Sequence, residues 1–129
     1  MINYARERAI EILKTASTAV LATNGPSGVK VGEFPSEAVD LDIYLLVPKT
    51  SDHLFNIEQD ERVALHTDCW ELTGKGRAFS SPDNWPEISL IPKTETAWYV
   101  LVKIMPRQVQ VLRPDGWGPA ETIDLTPLL

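Results

Sequence analysis

The segment LDIYLLVPKTSDHLFNIE, residues 41–58, decides the fold. Its first seven residues form a nearly continuous apolar run, which predicts a strand buried on both faces. Pro48 ends that strand, and Ser51 is a suitable N-cap for a short helix over residues 52–58. Asp52 favours the same helix, because a carboxylate in the first turn interacts well with the helix dipole. A buried strand followed closely by a capped helix is therefore the centre of the predicted domain.

The residues before this segment predict a helix and a hairpin. Residues 3–15 carry apolar side chains at helical spacing. Residues 18–23 have a short β pattern, the turn residues 24–28 stop it, and the alternating residues 29–34 return as a second strand. Pro35 interrupts the second strand and predicts a bulge or an edge position, after which a short strand resumes at residues 37–39.

The residues after the segment predict more strands. They lie at residues 61–67, 70–79, 96–104 and 107–113, with Pro106 as a break between the last two. Gly74 and Gly76 predict a bend of the kind that barrel corners need. We expect the loop-rich residues 114–129 to dock on the surface instead of packing. Six to seven strands in sequential hairpins predict a mainly β (α+β) fold, an antiparallel barrel, as a single domain over residues 1–129.

The composition narrows the class of protein. The 129 residues carry a net charge of −6, from 12 Lys and Arg against 18 Asp and Glu. An acidic protein repels phosphate backbones, so we expect no nucleic-acid partner. The single cysteine, Cys69, excludes an intramolecular disulfide and fits a reducing compartment. The sequence shows neither a signal-peptide pattern nor an apolar run long enough for a membrane span, so we expect a cytoplasmic protein without a membrane partner.

Short motifs follow one another in a recognisable order over roughly residues 5–80. They are Val20-Leu21-Ala22-Thr23 before a Gly turn, Ile43-Tyr44-Leu45-Leu46-Val47, Ser51-Asp52-His53-Leu54-Phe55-Asn56-Ile57, Asp60-Glu61-Arg62-Val63-Ala64-Leu65, and Gly74-Lys75-Gly76-Arg77-Ala78. They are similar to the patterns ATxxxxG, IYxxT, SxKxxNL, NPxVAL and VEGRA. This order resembles the FMN-binding split-barrel family, the pyridoxamine-phosphate-oxidase-like group.

The resemblance implies an antiparallel split β-barrel with an N-terminal helix and short peripheral helices. It implies FMN bound at the interface of a homodimer, and an oxidoreductase-like activity on a small molecule. The strand of Leu46 and Val47 would lie along the isoalloxazine ring, and Glu71 would contact the ring. A helix start suits the phosphate, because free N–H groups and a partial positive charge attract an anion. The residues carried over for the phosphate are Lys30, Lys49, Thr50, Ser51 and His53.

Two functions stay open. The first is an FMN-dependent oxidoreductase. The second is a non-catalytic binding protein on the same barrel, which holds another planar ligand, such as a deazaflavin, or no cofactor. Glu33 and Glu37 stand where the family usually has cations, and His53 stands in place of a lysine, which favours the second function. Trp117, between two glycines, is a candidate to reach over a ligand or a neighbouring subunit.

Other site interpretations are weaker. Ser51 and His53 can equally form a simple helix cap with a surface histidine. His66, Asp68 and Cys69 lack a recognised metal-ligand spacing, so we predict no metal, and we expect Cys69 to be a small buried side chain. The sequence contains no catalytic motif for a nucleophile or a P-loop. We therefore assign no catalytic residue, as expected where a cofactor carries the chemistry.

Overall fold

The computed structural model describes residues 2–26, 28–81, 85–86, 88–89, 96–115 and 118–126. These residues contain two α-helices, α1 (Ile2–Leu13) and α2 (Asp52–Gln59). No helix among them is long and apolar enough to cross a membrane, and the cytoplasmic location stays a prediction. The strands are β1 (Thr18–Gly25), β2 (Gly28–Val39), β3 (Asp42–Pro48), β4 (Arg62–His66), β5 (Trp70–Phe79), β6 (Tyr99–Leu112) and β7 (Pro119–Asp124).

The strands form one antiparallel sheet that closes on itself. The order in the sheet is β3-β2-β1-β4-β5-β6-β7, and β3 also pairs with β6. This additional pairing closes six strands into a barrel, and β7 extends the sheet on the outer edge of β6. The predicted antiparallel barrel of six to seven strands with an N-terminal helix is confirmed.

Strand β2 changes partners along its length. Residues 28–35 pair with β1, whereas residues 36–39 pair with β3. Pro35 lies at this change and the strand continues through it, so the predicted interruption is wrong. Proline fits here because the chain is leaving one ladder and entering the next, where one missing N–H is tolerated. Beyond Leu45, β3 has no ladder with β2 and pairs with β6 alone.

Strand β6 is also longer than predicted. It runs without a break from Tyr99 to Leu112 through Pro106, so the predicted break is wrong. Its pairing with β5 shifts register at Gly74, which lies opposite Pro106, while Thr73 lies opposite Gln108. A Cβ at Gly74 would overlap the Met105 carbonyl oxygen, so glycine permits this close approach. A bulge at this position therefore accommodates Pro106 within the strand, which we expected it to end.

The C-terminal residues are part of the sheet. Strand β7 pairs with β6, and Ile123 and Leu125 are buried in the barrel core. Arg8 of α1 donates two hydrogen bonds to Glu121, at 3.1 and 3.2 Å, and so joins the N-terminal helix to β7. The prediction that residues 114–129 only dock on the surface is wrong for the described part, because Ile123 of β7 and Leu125, which follows the strand, are buried.

Helix α2 covers the barrel on the side of β1 and β5. Its buried residues are His53, Asn56 and Ile57, which share one helix face. A Cβ at Gly25 of β1 would overlap the Asn56 side chain, and a Cβ at Gly76 of β5 would lie 3.5 Å from Ile57. Glycine at position 25 thus lets β1 approach the second turn of α2 closely at Asn56.

The outer face of β3 and β6 is covered by the chain itself. Tyr44, Leu46 and Leu101 form a second apolar cluster with Trp85 and Ile88, which belong to the connection between β5 and β6. The indole Nε1 of Trp85 donates to the carbonyl oxygen of Phe79 at 2.7 Å. The connection is therefore held against the barrel at this point.

Candidate ligand cavity at the N-terminus of helix α2

A cavity of about 860 Å³ lies between α2, β5 and β6, and we call it the α2 cavity. Ligand pockets in proteins have volumes of roughly 300–1,000 Å³, so this cavity could hold a cofactor. Its lining includes cationic and hydroxyl-bearing side chains: Lys49, Thr50, Ser51, Arg77 and Ser80. Apolar side chains form another part of the wall: Leu54, Phe55, Ile57, Val100 and Met105.

Ser51 begins helix α2 and faces this cavity. Its Oγ accepts a hydrogen bond from the backbone N–H of His53 at 3.2 Å, which is a normal N-cap. The cap uses the oxygen as an acceptor, so the hydroxyl hydrogen can still donate to a ligand. The helix dipole adds a partial positive charge at the same place. Ser51 can therefore serve the helix and an anionic ligand together.

Two cationic side chains line the same cavity, Lys49 from the turn before α2 and Arg77 from β5. The Arg77 guanidinium lies 5.5 Å from the centroid of the Phe79 ring, within range of a cation–π interaction. Arg77 was not among the predicted site residues, although it belongs to the motif Gly74 to Ala78. Only the folded position of β5 beside α2 brings it to the cavity that Lys49 and Ser51 also line.

The cavity also has an acidic part. Glu58 of α2 and Glu61 line it, and Glu61 forms an ion pair with Lys75 at 3.3 Å. Lys49, Thr50 and Ser51 precede the first residue of α2, whereas Glu58 belongs to its last turn and Glu61 follows it. The cavity lining fits a phosphate group, because it contains the charged donors Lys49 and Arg77 as well as a helix N-terminus.

His53 lies apart from this cavity. It is only 6% exposed, and its Nδ1 lies 2.8 Å from Thr23 Oγ1 of β1. Its ring meets Phe34 of β2 edge-on, with the ring centroids 5.4 Å apart. Burial lowers the pKa of His53, Lys30 lowers it further, and Asp52 acts in the opposite direction. The alternative of a surface histidine is therefore wrong, and a direct contact of His53 with phosphate stays a prediction.

The other predicted site residues lie on different parts of the barrel. Lys30 is exposed on β2, and Val47 is fully buried inside the barrel. Leu46 packs beneath the connection between β5 and β6. Glu71 lines a separate trough of about 300 Å³ on the outer face, and its carboxylate lies 3.2 Å from His66 Nδ1. Of the predicted site residues that the structure describes, only Lys49, Thr50 and Ser51 line the α2 cavity, and Trp117 lies outside the described residues.

The residues of the weak metal pattern do not form a cluster. Among the described residues, no group of three or more His, Cys, Asp or Glu side chains is close enough to hold a metal ion. Cys69 is exposed, so the prediction of a buried thiol is wrong. It lies in the short turn between β4 and β5, where the chain has left the sheet and the core. The remaining described tryptophans differ: Trp70 is fully buried, whereas Trp98 is 72% exposed.

Comparisons with known proteins support the fold. No protein-family model matches the sequence. No curated protein matches it either. Among solved structures, general stress protein 26 from Bacillus anthracis is similar, with a TM-score of 0.67 and 19% identity over 95% of this chain and 99% of that chain.

Two further solved structures, both from Clostridium acetobutylicum, are similar in fold to this chain. One is a protein related to general stress protein 26, of the pyridoxinephosphate oxidase family, with a TM-score of 0.68 and 11% identity over 100% of this chain and 99% of that chain. The other is a NimC/NimA family protein, with a TM-score of 0.64 and 17% identity over 93% of each chain. At these identities the likeness concerns the fold. The chain therefore has the split β-barrel fold of the pyridoxamine 5′-phosphate oxidase-like proteins.

Proposed function

We propose that the chain binds flavin mononucleotide in the cavity at the N-terminus of α2 and acts as an oxidoreductase on a small molecule. The observation that carries this proposal is the meeting of Lys49, Thr50, Ser51 and Arg77 around one cavity of about 860 Å³. Bound FMN would supply hydride-transfer chemistry, while the protein supplies binding, orientation and electrostatics. The likeness in fold to proteins of the pyridoxinephosphate oxidase family is consistent with this function.

In this proposal the two ends of the cofactor meet different parts of the cavity. The phosphate lies near the helix start, where the Ser51 hydroxyl donates a hydrogen bond, and the charge comes from Lys49 and Arg77, which line the same cavity. The apolar wall, with Phe55 and Met105, suits the flat ring system. Glu58 and Glu61 repel a second anionic group, so a ligand with its charge at one end is favoured.

The test is a titration of FMN with the purified protein, in which the quenching of flavin fluorescence measures binding. Lys49→Gln and Arg77→Gln each remove one charged hydrogen-bond donor, so each should weaken FMN affinity about tenfold or more. Lys14→Gln and Arg113→Gln are matched controls, because both residues are exposed and neither lines the cavity. Unchanged affinity in both cavity variants would place the phosphate elsewhere.

A second candidate is a non-catalytic binding protein on the same barrel. The carboxylates of Glu58 and Glu61 in the cavity favour it, because they reduce the net positive charge available to a dianionic phosphate. Reduction of the bound flavin by a nicotinamide distinguishes the two candidate functions. An oxidoreductase with bound FMN should lose its flavin absorption when NADH or NADPH is added without oxygen, whereas a binding protein should keep it.

We also propose that the chain forms a homodimer through the outer face of β2, β1, β4 and β5. The outward residues Val31, Ala22, Ala64 and Thr73 lie opposite one another across these four strands. Val31 is 69% exposed, and its small neighbours Ala22 and Ala64 leave room for side chains of a second copy of the chain. Arg107 lines a trough at one end of this face and Glu33 lies towards the other, which suits an antiparallel two-fold arrangement.

The oligomeric state is measured by light scattering coupled to size exclusion. The wild-type protein should have twice the 14.4 kDa mass of one chain. Ala64→Glu places a charge at the centre of the face and should yield monomers that remain folded. Thr122→Glu, an exposed substitution on β7, should leave the mass unchanged. A monomeric wild-type protein at micromolar concentration would contradict the dimer.

A further inference from the structure

Three polar side chains form a buried cluster between β1 and α2, which we call the Thr23 cluster. Thr23, His53 and Asn56 are 2%, 6% and 4% exposed. Thr23 Oγ1 lies 2.8 Å from His53 Nδ1 and accepts a hydrogen bond from Asn56 Nδ2 at 3.1 Å. The cluster therefore ties one strand of the barrel to both the first and the second turn of α2.

The hydrogen atoms of the Thr23 cluster fit one protonation state best. Asn56 uses one lone pair of Thr23 Oγ1, and the Thr23 hydroxyl hydrogen needs an acceptor. Neutral His53 supplies that acceptor at Nδ1 and keeps its own hydrogen on Nε2. Protonated His53 carries a hydrogen on Nδ1 and cannot accept, so the Thr23 hydroxyl loses its acceptor in a buried place.

The surroundings of His53 also oppose a positive charge. On β2, Phe34 meets the ring edge-on, and Lys30 is a nearby cation. On β1, Thr23 is neutral, and on α2 the nearby charge is Asp52. Burial and Lys30 together outweigh Asp52, so the neutral form is favoured.

We propose that His53 is a positioning residue for the α2 cavity: its neutral imidazole holds the first turn of α2, and with it Ser51, so that anion binding is coupled to loss of a proton from His53. The coupling rests on the proposed function, because the anion is the phosphate of the proposed FMN. The link is short, since the Ser51 hydroxyl accepts from the backbone N–H of His53 itself. Protonation should loosen this turn and lower the affinity for the anion.

The first experiment needs no ligand. The chain has two histidines, so their imidazole resonances can be assigned with His66→Asn. His53 should carry its hydrogen on Nε2 in nitrogen-15 spectra and titrate below the ordinary histidine range. The amides of residues 51–54 should exchange faster with solvent below the pH at which His53 titrates. A His53 that carries its hydrogen on Nδ1, or that titrates without changing those amides, would overturn the positioning role.

The second experiment compares the pH profiles of FMN binding. His53→Asn places an amide oxygen where Nδ1 accepts and cannot titrate. Both proteins should bind more weakly near pH 6, because the phosphate itself takes up a proton there. Only the wild-type protein should show an additional loss of affinity as His53 is protonated. Parallel profiles, or a wild-type affinity that rises on acidification, would overturn the coupling.

Substitutions of Thr23 complete the test. Thr23→Val removes the hydroxyl and should weaken FMN binding about tenfold, the equivalent of one buried hydrogen bond. Thr23→Ser keeps the hydroxyl and should stay within about twofold of wild type. Thr122→Val is the matched control on exposed β7. Equal affinities of folded Thr23→Val and wild-type protein contradict the positioning role, whereas a wild-type protein that does not bind FMN contradicts the proposed function itself.

Discussion

The contact between Gly25 and helix α2 offers a sharp test of the fold. In Gly25→Ala the new Cβ would overlap the side-chain oxygen of Asn56. Asn56 is only 4% exposed and donates a hydrogen bond to Thr23, so it cannot turn away without breaking that bond. The substitution should therefore destabilise the protein through Asn56, although the change in size is a single methyl group.

The expected cost follows from the groups involved. Leaving a buried polar group without its partner costs about 1–3 kcal/mol. A side chain forced away from its preferred rotamer costs about 1 kcal/mol more. Gly25→Ala should thus lower the free energy of unfolding by about 2–4 kcal/mol. Urea denaturation followed by tryptophan fluorescence measures this difference.

A double-mutant cycle identifies the cause. In the background of Asn56→Ala the overlap is gone, so Gly25→Ala should cost much less than in wild type. Gly28→Ala is the control: Gly28 has φ +101° and no neighbour within 4 Å of a Cβ, so its cost comes from backbone strain and should not depend on Asn56. If Gly25→Ala lowers the free energy of unfolding equally in both backgrounds, the close contact between Gly25 and Asn56 is refuted.

Three further predictions concern other parts of the chain. Burial lowers the pKa of His53, so the contribution of neutral His53 to the free energy of unfolding is complete above about pH 6.5 and is lost as the pH falls towards the lowered pKa. The slope of this loss is at most about 1.4 kcal/mol per pH unit. His53→Asn should flatten that part of the stability–pH curve, and an unchanged curve would refute this. Leu125→Ala should cost about 2–5 kcal/mol in chemical denaturation because Leu125 is 1% exposed, and a cost near zero would show that the C-terminal residues do not pack. The exposed Cys69 should react with a thiol reagent in the native protein, and protection until unfolding would contradict its position.

Much of the barrel could be predicted from local patterns. The apolar run of β3, the β patterns at residues 18–23 and 70–79, and the Ser51 cap each appear in consecutive residues and are borne out. Pro35 and Pro106 misled the prediction, because proline is tolerated where a strand changes partners or forms a bulge. That tolerance depends on the neighbouring strand, which no local pattern reveals.

The candidate site could be predicted only in part. Lys49, Thr50 and Ser51 are consecutive, so the helix start identified them together. Arg77 reaches the same cavity from a distant part of the chain, and only the tertiary fold brings it there. His53 shares a helix face with Asn56 and Ile57, and this spacing could have indicated that it points towards the barrel. The family motif predicted that His53 contacts the phosphate, whereas the helical periodicity indicated that its side chain is buried.

The central claim is that the α2 cavity binds FMN through Lys49, Ser51 and Arg77. The most direct measurement is the visible spectrum of the purified protein after incubation with FMN and removal of free flavin. The account predicts retained flavin absorption in wild type and its loss in the double variant Lys49→Gln/Arg77→Gln, with Lys14→Gln/Arg113→Gln resembling wild type. A colourless wild-type protein that also fails to quench flavin fluorescence at micromolar concentration would contradict the account.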